Sequence, residues 1–197
     1  MNLASCKMIV WVMFGLTWAA SDATAQPFGV KQGALPELYD GKLSSSKNIY
    51  DITPPKTHPF FERYIVLSTD KTGICLITAI GKNIINDAYG SQARSDFKSL
   101  RDQIASKYGN SKMFDFLRAG SIWRDPKDFS MAVAKKERTL SSFWDKKEGS
   151  KLVDGVRAIS IELKGLDSLE LYLTASFDFD NRSACAVEMN STESQAF

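Results

Sequence analysis

The chain has 197 residues, 44% of them hydrophobic and 24% charged, with a formal net charge of +2 at neutral pH. A charge so near zero sets up no attractive field for a polyanion, so no nucleic acid is expected among its partners. No segment offers the about 20 consecutive apolar residues that a membrane-spanning helix needs, so no transmembrane anchor is expected.

Residues 1–25 read as an export signal: Lys7 supplies the positive charge, Met8 to Ala20 the apolar core, and Ala23-Thr24-Ala25 an A-x-A cleavage site before Gln26. Cys6 precedes the apolar core, which excludes it as a lipid-attachment cysteine. A periplasmic or secreted product of residues 26–197 is expected. That length suits a single domain burying roughly 70% of its unfolded surface. Cleavage leaves two cysteines, Cys75 and Cys185, and an even pair in an oxidising compartment reads as one disulfide. Their wide spacing does not form the C-x-x-C of a redox site.

Residues 26–46 carry Phe28-Gly29, Gly33 and a helical turn around Pro36 to Tyr39, and Asp51 to Pro59 forms a proline-rich extended loop. Tyr64 to Leu67 and Ile74 to Ile80, apolar runs joined through Lys71-Thr72-Gly73, predict a β-hairpin. Ser91 to Tyr108 predicts a helix with Ser91 as N-cap, a stripe of Phe97, Leu100, Ile104 and Tyr108, and Gly109 as the C-terminal cap. Phe129, Met131 and Val133 alternate with small residues, and with Arg138 to Trp144 they predict a second hairpin turning at Lys135-Lys136-Glu137. Ile159, Ile161 and Leu163 mark another strand. The last and clearest strand sets Leu169, Leu171, Leu173, Ala175, Phe177 and Phe179 on one side and Glu170, Tyr172, Thr174, Ser176 and Asp178 on the other. A helix from Arg182 to about Met189, capped by Asp180 or Asn181, closes the chain. The expected fold is α+β, an antiparallel sheet of about five to seven strands with helices packed mainly on one face.

Signals for chemistry are sparse. His58 is the only histidine, and without a G-x-S-x-G elbow or a second imidazole it builds neither a nucleophilic triad nor a zinc set. Ser44-Ser45-Ser46-Lys47 and Lys71-Thr72-Gly73 imitate penicillin-binding motifs but lack the S-D-N element and the intervening domain. Asp178-Phe179-Asp180-Asn181 fails as an EF-hand loop because Arg182 follows and no glycine does. Lys135, Lys136 and Arg138, with Lys146, Lys147 and Lys151, gather positive charge in what the hairpin reading makes adjacent turns. No catalytic residue, metal or cofactor is expected.

The chain resembles a family of small exported proteobacterial proteins of uncharacterised function. The likeness lies in Phe28-Gly29, in Pro54-Pro55-Lys56-Thr57-His58-Pro59-Phe60-Phe61-Glu62, in Gly73-Ile74-Cys75-Leu76-Ile77-Thr78-Ala79-Ile80-Gly81 and in Lys107-Tyr108-Gly109. It continues through Glu137-Arg138 and Phe143-Trp144 to Cys185. It implies a single α+β domain behind a signal peptide and no assigned reaction. The leading expectation is a non-enzymatic binding or accessory protein of the bacterial envelope, contacting an envelope protein or polymer through Glu170, Tyr172, Thr174 and Asp178. The alternatives are a small hydrolase using Glu170 and Asp178 on an envelope polymer, and a structural component of an envelope complex.

Overall fold

The computed structural model describes residues 26–44 and 46–194. The expected export signal, residues 1–25, lies outside the described residues, as does Ser45. Eight strands form one antiparallel sheet: β1 (Lys42–Leu43), β2 (Ile49–Ile52), β3 (Phe61–Thr69), β4 (Gly73–Gly81), β5 (Lys112–Leu117), β6 (Arg138–Asp145), β7 (Val156–Gly165) and β8 (Leu171–Phe179). Among the described residues three α-helices accompany them: α1 (Ser91–Tyr108), α2 (Phe129–Ala134) and α3 (Arg182–Ser194). The sheet order is β1-β2-β3-β4-β8-β7-β6-β5, two meanders joined where β4 pairs with β8.

The fold is mixed α+β, with eight strands instead of five to seven. The alternation at Phe129 to Ala134 builds α2, not a strand. It buries Phe129, Ser130, Ala132 and Val133, the i, i+1, i+3, i+4 spacing of one helical face. A Pro126 turn capped by the Asp125 side chain leads into it, and the Ser130 hydroxyl donates to the Asp87 carbonyl (2.5 Å). The strand that precedes β6 is therefore β5, whose Met113, Phe114, Phe116 and Leu117 put apolar residues on both sides and hide the period of two. The lysine cluster dissolves because the length of β6 lies between its members. Lys135 and Lys136 precede β6 while Lys146 and Lys147 follow it, about 25 Å away along an extended strand.

Helix α1 starts at Ser91, but its cap is Asp87, whose carboxylate accepts from the N–H groups of Ser91 (2.7 Å) and Ala93 (2.8 Å). Gly109, at φ 77°, ends the helix as expected. The stripe Phe97, Leu100, Ile104 and Tyr108 is buried against the inner residues of β7 and β8, including Ile159, Ile161, Leu173 and Phe177. Trp144 on β6 is wholly buried in this core and donates its indole N–H to the Gly109 carbonyl (2.9 Å).

Helix α3 takes the other face and packs on β3 and β4. A second small core of Leu67, Cys75 and Cys185, with Ile49, Leu76 and Met189, forms beneath it. The two sulfurs are at disulfide distance, with Cα atoms 6.5 Å apart, inside the about 7 Å limit for a bridge. Asn181 meets the helix through its carbonyl, which accepts from Ala184 and Cys185. Its side-chain amide donates instead to the carbonyls of Thr72 and Ile74. Lys71-Thr72-Gly73 is the β3–β4 turn, as expected.

Glu188 fastens α3 to that turn. Its carboxylate accepts from the Thr69 hydroxyl (2.6 Å), the Lys71 N–H (2.9 Å), and the N–H (3.1 Å) and hydroxyl (2.8 Å) of Thr72. The Thr69 hydroxyl, then the Lys71 amide and the Thr72 donors, hold its pKa down to about 2 from an ordinary 4.5. A depressed carboxylate stabilises the fold above its unfolded pKa, and that contribution fades as pH falls from 4.5 toward about 2. Glu188→Gln is therefore expected to melt below the wild type at neutral pH, with the gap closing over this acid window. A gap that stays constant down to pH 2 in a thermal series would refute the anchor.

Candidate binding face

Strand alternation fixes what each side of the sheet presents. On the side away from α1, β8 sets Tyr172, Thr174, Ser176 and Asp178, registered against Lys164, Glu162, Ser160 and Ala158 of β7. Next come Ser141 and Phe143 of β6, then Phe114 and Lys112 of β5. Helix α3 packs mainly on β3 and β4, and its first turn reaches the neighbouring strands at Arg157 and Asp178, while Tyr172, Thr174 and Ser176 of β8 stay partly exposed.

The open face has an aromatic end. Phe114 is 36% exposed, Phe116 52% and Phe143 38%, and the Phe114 and Phe143 rings meet edge to face with centroids 5.8 Å apart. Lys112 lies over the Phe114 ring at 5.8 Å. With Lys136 and the Glu162–Lys164 ion pair, the three rings line a groove of about 530 Å³. Toward the centre of the sheet the surface changes to small hydroxyls. Thr78 and Ser176 share a hydrogen bond of 2.9 Å, and the Thr174 hydroxyl reaches the Glu162 carbonyl at 3.4 Å. Such a surface offers ring faces, hydroxyls and one charge pair; it suits binding.

The four residues read from the sequence do not share one site. Tyr172 and Thr174 are half-buried on the open face, as expected. Glu170 lies before β8, in the turn where Asp167 accepts its N–H (2.9 Å) and its carbonyl accepts from Leu166. Asp178 sits at the opposite end, beside Arg157 (3.5 Å) and Arg182 (3.6 Å), in the joint between β8 and α3. Eight strand residues put Glu170 and Asp178 about 26 Å apart, whereas paired glycosidase carboxylates stand about 5 to 9.5 Å apart. They do not act on one bond.

Phe114, Phe116 and Phe143 are not among the binding residues expected from the sequence. Phe143 was legible as the outward neighbour of inward Trp144, but Phe114 and Phe116 belong to the strand whose period is masked.

His58 is structural in its contacts: its N–H donates to the Tyr64 hydroxyl (2.8 Å), Nδ1 accepts from the Phe60 N–H (3.3 Å), and Nε2 meets the Gln103 amide oxygen (3.0 Å). It borders a smaller cleft of about 320 Å³, floored by Phe28, Phe61, Ile104 and Phe177 on the α1 side. Among the described residues no group of three or more His, Cys, Asp or Glu side chains is placed to hold a metal ion. No helix among them is long and apolar enough to cross a membrane.

The chain matches no family model, no curated protein and no solved structure. No residue role therefore transfers from a relative, and function has to be argued from the face itself.

Proposed function

We propose that the protein is a non-catalytic binding or accessory protein of the bacterial envelope, exported to the periplasm or beyond, which holds an envelope protein or polymer on the open face of β8-β7-β6-β5. One observation carries this reading: three partly exposed phenylalanines, Phe114, Phe116 and Phe143, lie on the same face as Tyr172 and the hydroxyl-bearing centre, around one groove. Aromatic side chains exposed together on a rigid strand scaffold mark an interaction surface, because they lose little conformational freedom when a partner covers them. The cysteine pair at disulfide distance supports an oxidising compartment.

The test is capture. Tagged mature protein with Phe143→Ala or Tyr172→Ala is expected to retain at least about tenfold less partner from envelope extract than the wild type, the usual effect of truncating an aromatic contact. Both side chains project from the solvent side of the sheet, so melting temperatures should move by only a few degrees. Undiminished capture by both variants would sink the assignment of this face. Turnover of an envelope polymer lost with Glu170→Gln would replace binding with catalysis.

A further inference from the structure

Strand β5 ends the sheet, and among the described residues no strand pairs with its outer side. The direction of its backbone groups follows from one bond: the Arg118 N–H donates to the Glu137 carbonyl (2.7 Å). Those two residues stand directly opposite in the register that pairs Leu117 with Arg138. Along an antiparallel ladder, hydrogen-bonded and non-hydrogen-bonded pairs alternate. Lys112, Phe114 and Phe116 therefore turn their N–H and C=O groups toward β6, while those of Met113, Asp115 and Leu117 point outward.

This edge is unguarded. It contains no proline, and its register with β6 runs unbroken from Lys112 to Leu117. Met113 is 43% exposed, beside the two exposed phenylalanines. Natural sheets blunt such an edge by shortening, bulging or charging it, and the opposite edge, β1, is only two residues long. The charges on β5 that might repel a strand are paired within the chain: Asp115 with Arg94 (2.9 Å) and Arg138 (2.5 Å), and Lys112 with Glu148 (3.2 Å).

The edge is also self-complementary. Met113-Phe114-Asp115-Phe116-Leu117 has the same chemical order in both directions, centred on Asp115. The geometry points to a second copy of this chain as its occupant, with β5 pairing antiparallel to β5 of that copy about a two-fold axis through Asp115. In this register Asp115 exchanges N–H and C=O with Asp115 of the other copy, and Met113 does so with Leu117, so every outward group of the three residues is satisfied. Phe114 and Phe116 of the two copies fall opposite each other in non-hydrogen-bonded pairs, where side chains approach most closely. The like charges that face across the ends, Lys112 and Arg118, are moderated by Glu148, which pairs with Lys112 (3.2 Å). An isologous contact of this kind closes on itself as a dimer. The inference does not depend on what the open face binds.

The mass of the mature chain, followed by sedimentation or light scattering from about 1 to about 200 µM, is expected to rise toward twice that of one chain, as a small interface implies. Backbone amides of Met113, Asp115 and Leu117 should exchange slowly only at the dimeric end of that range. Met113→Pro removes one outward donor and no bond to β6; Phe116→Glu sets a carboxylate against the facing Phe114 ring. Each should weaken association at least about tenfold with an unchanged circular dichroism spectrum, and Phe116→Glu keeps the test open if the proline disturbs folding. A single-chain mass throughout, or a dimer indifferent to both substitutions, overturns the proposal. So does a monomer whose β5 amides gain protection only when another protein is added.

Discussion

Reducing the protein, or converting Cys75 and Cys185 together to alanine, is expected to lower its unfolding free energy by about 2 to 5 kcal/mol. The two cysteines are 110 residues apart in sequence, so the bond removes the entropy of a long loop from the unfolded chain. For that length the chain-entropy relation gives on the order of 4 to 5 kcal/mol as an upper value. The native state loses more than the crosslink, because Cys185 is the centre of the small core beneath α3. Without the bond, α3 is held by Glu188, Asn181 and the contacts of Leu67, Leu76 and Met189. Denaturant titrations with and without reductant measure the difference. A change under about 1 kcal/mol, or thiols that label freely in unreduced, unfolded protein, would remove the bond from the account of stability.

Trp144→Ala should cost about 3 to 5 kcal/mol, the range for deleting a large aromatic side chain from a packed core. Trp144 has no exposed surface and touches two layers at once, resting on the sheet while its indole N–H satisfies the carbonyl of Gly109, the residue that ends α1. Truncation opens a cavity and leaves that carbonyl without its donor. The neighbouring Phe143 points to solvent, and its replacement by alanine should cost under about 1 kcal/mol. A one-residue step along β6 thus separates a core variant from a binding variant. Equal midpoints for the two variants in urea would mean that β6 is not in this register.

What could be read from the sequence follows from how cleanly each segment separates its two faces. In β8 every second residue from Leu171 to Phe179 is apolar and the rest are polar, so strand, face and register of side chains were all visible. In α1 the stripe from Phe97 to Tyr108 and the glycine after it were equally plain, although its cap comes from Asp87, whose role depends on a turn through Gly90 at φ 68°. Phe129 to Ala134 was misread because alternation of large and small apolar residues satisfies both periods, and packing against Asp87 and Gly90 decides between them. The candidate site was half legible. Tyr172 and Thr174 follow from alternation, whereas Phe114 and Phe116 come together with Phe143 only through the β5–β6 pairing, which the misread segment concealed. Glu170 was lost to the turn at Asp167, whose side chain accepts from both Leu169 and Glu170 and makes the strand begin at Leu171, two residues later than the alternation suggests.

The strand order has a consequence for how the chain acquires its shape. Strands β1 to β4 pair only with sequence neighbours until β4 meets β8, and β5 to β8 likewise form a local series. Local pairing is fast because little loop entropy is lost before contacts form, while joining segments about a hundred residues apart is slow. Full closure of β4 on β8 must therefore wait until the chain has been made through Phe179, where β8 ends. The two sulfurs lie on either side of that same junction, Cys75 in β4 and Cys185 just beyond β8. Once β4 has paired with β8, the crosslink holds together two segments that are far apart in sequence, so the covalent bond secures the contact that is entropically hardest to reach.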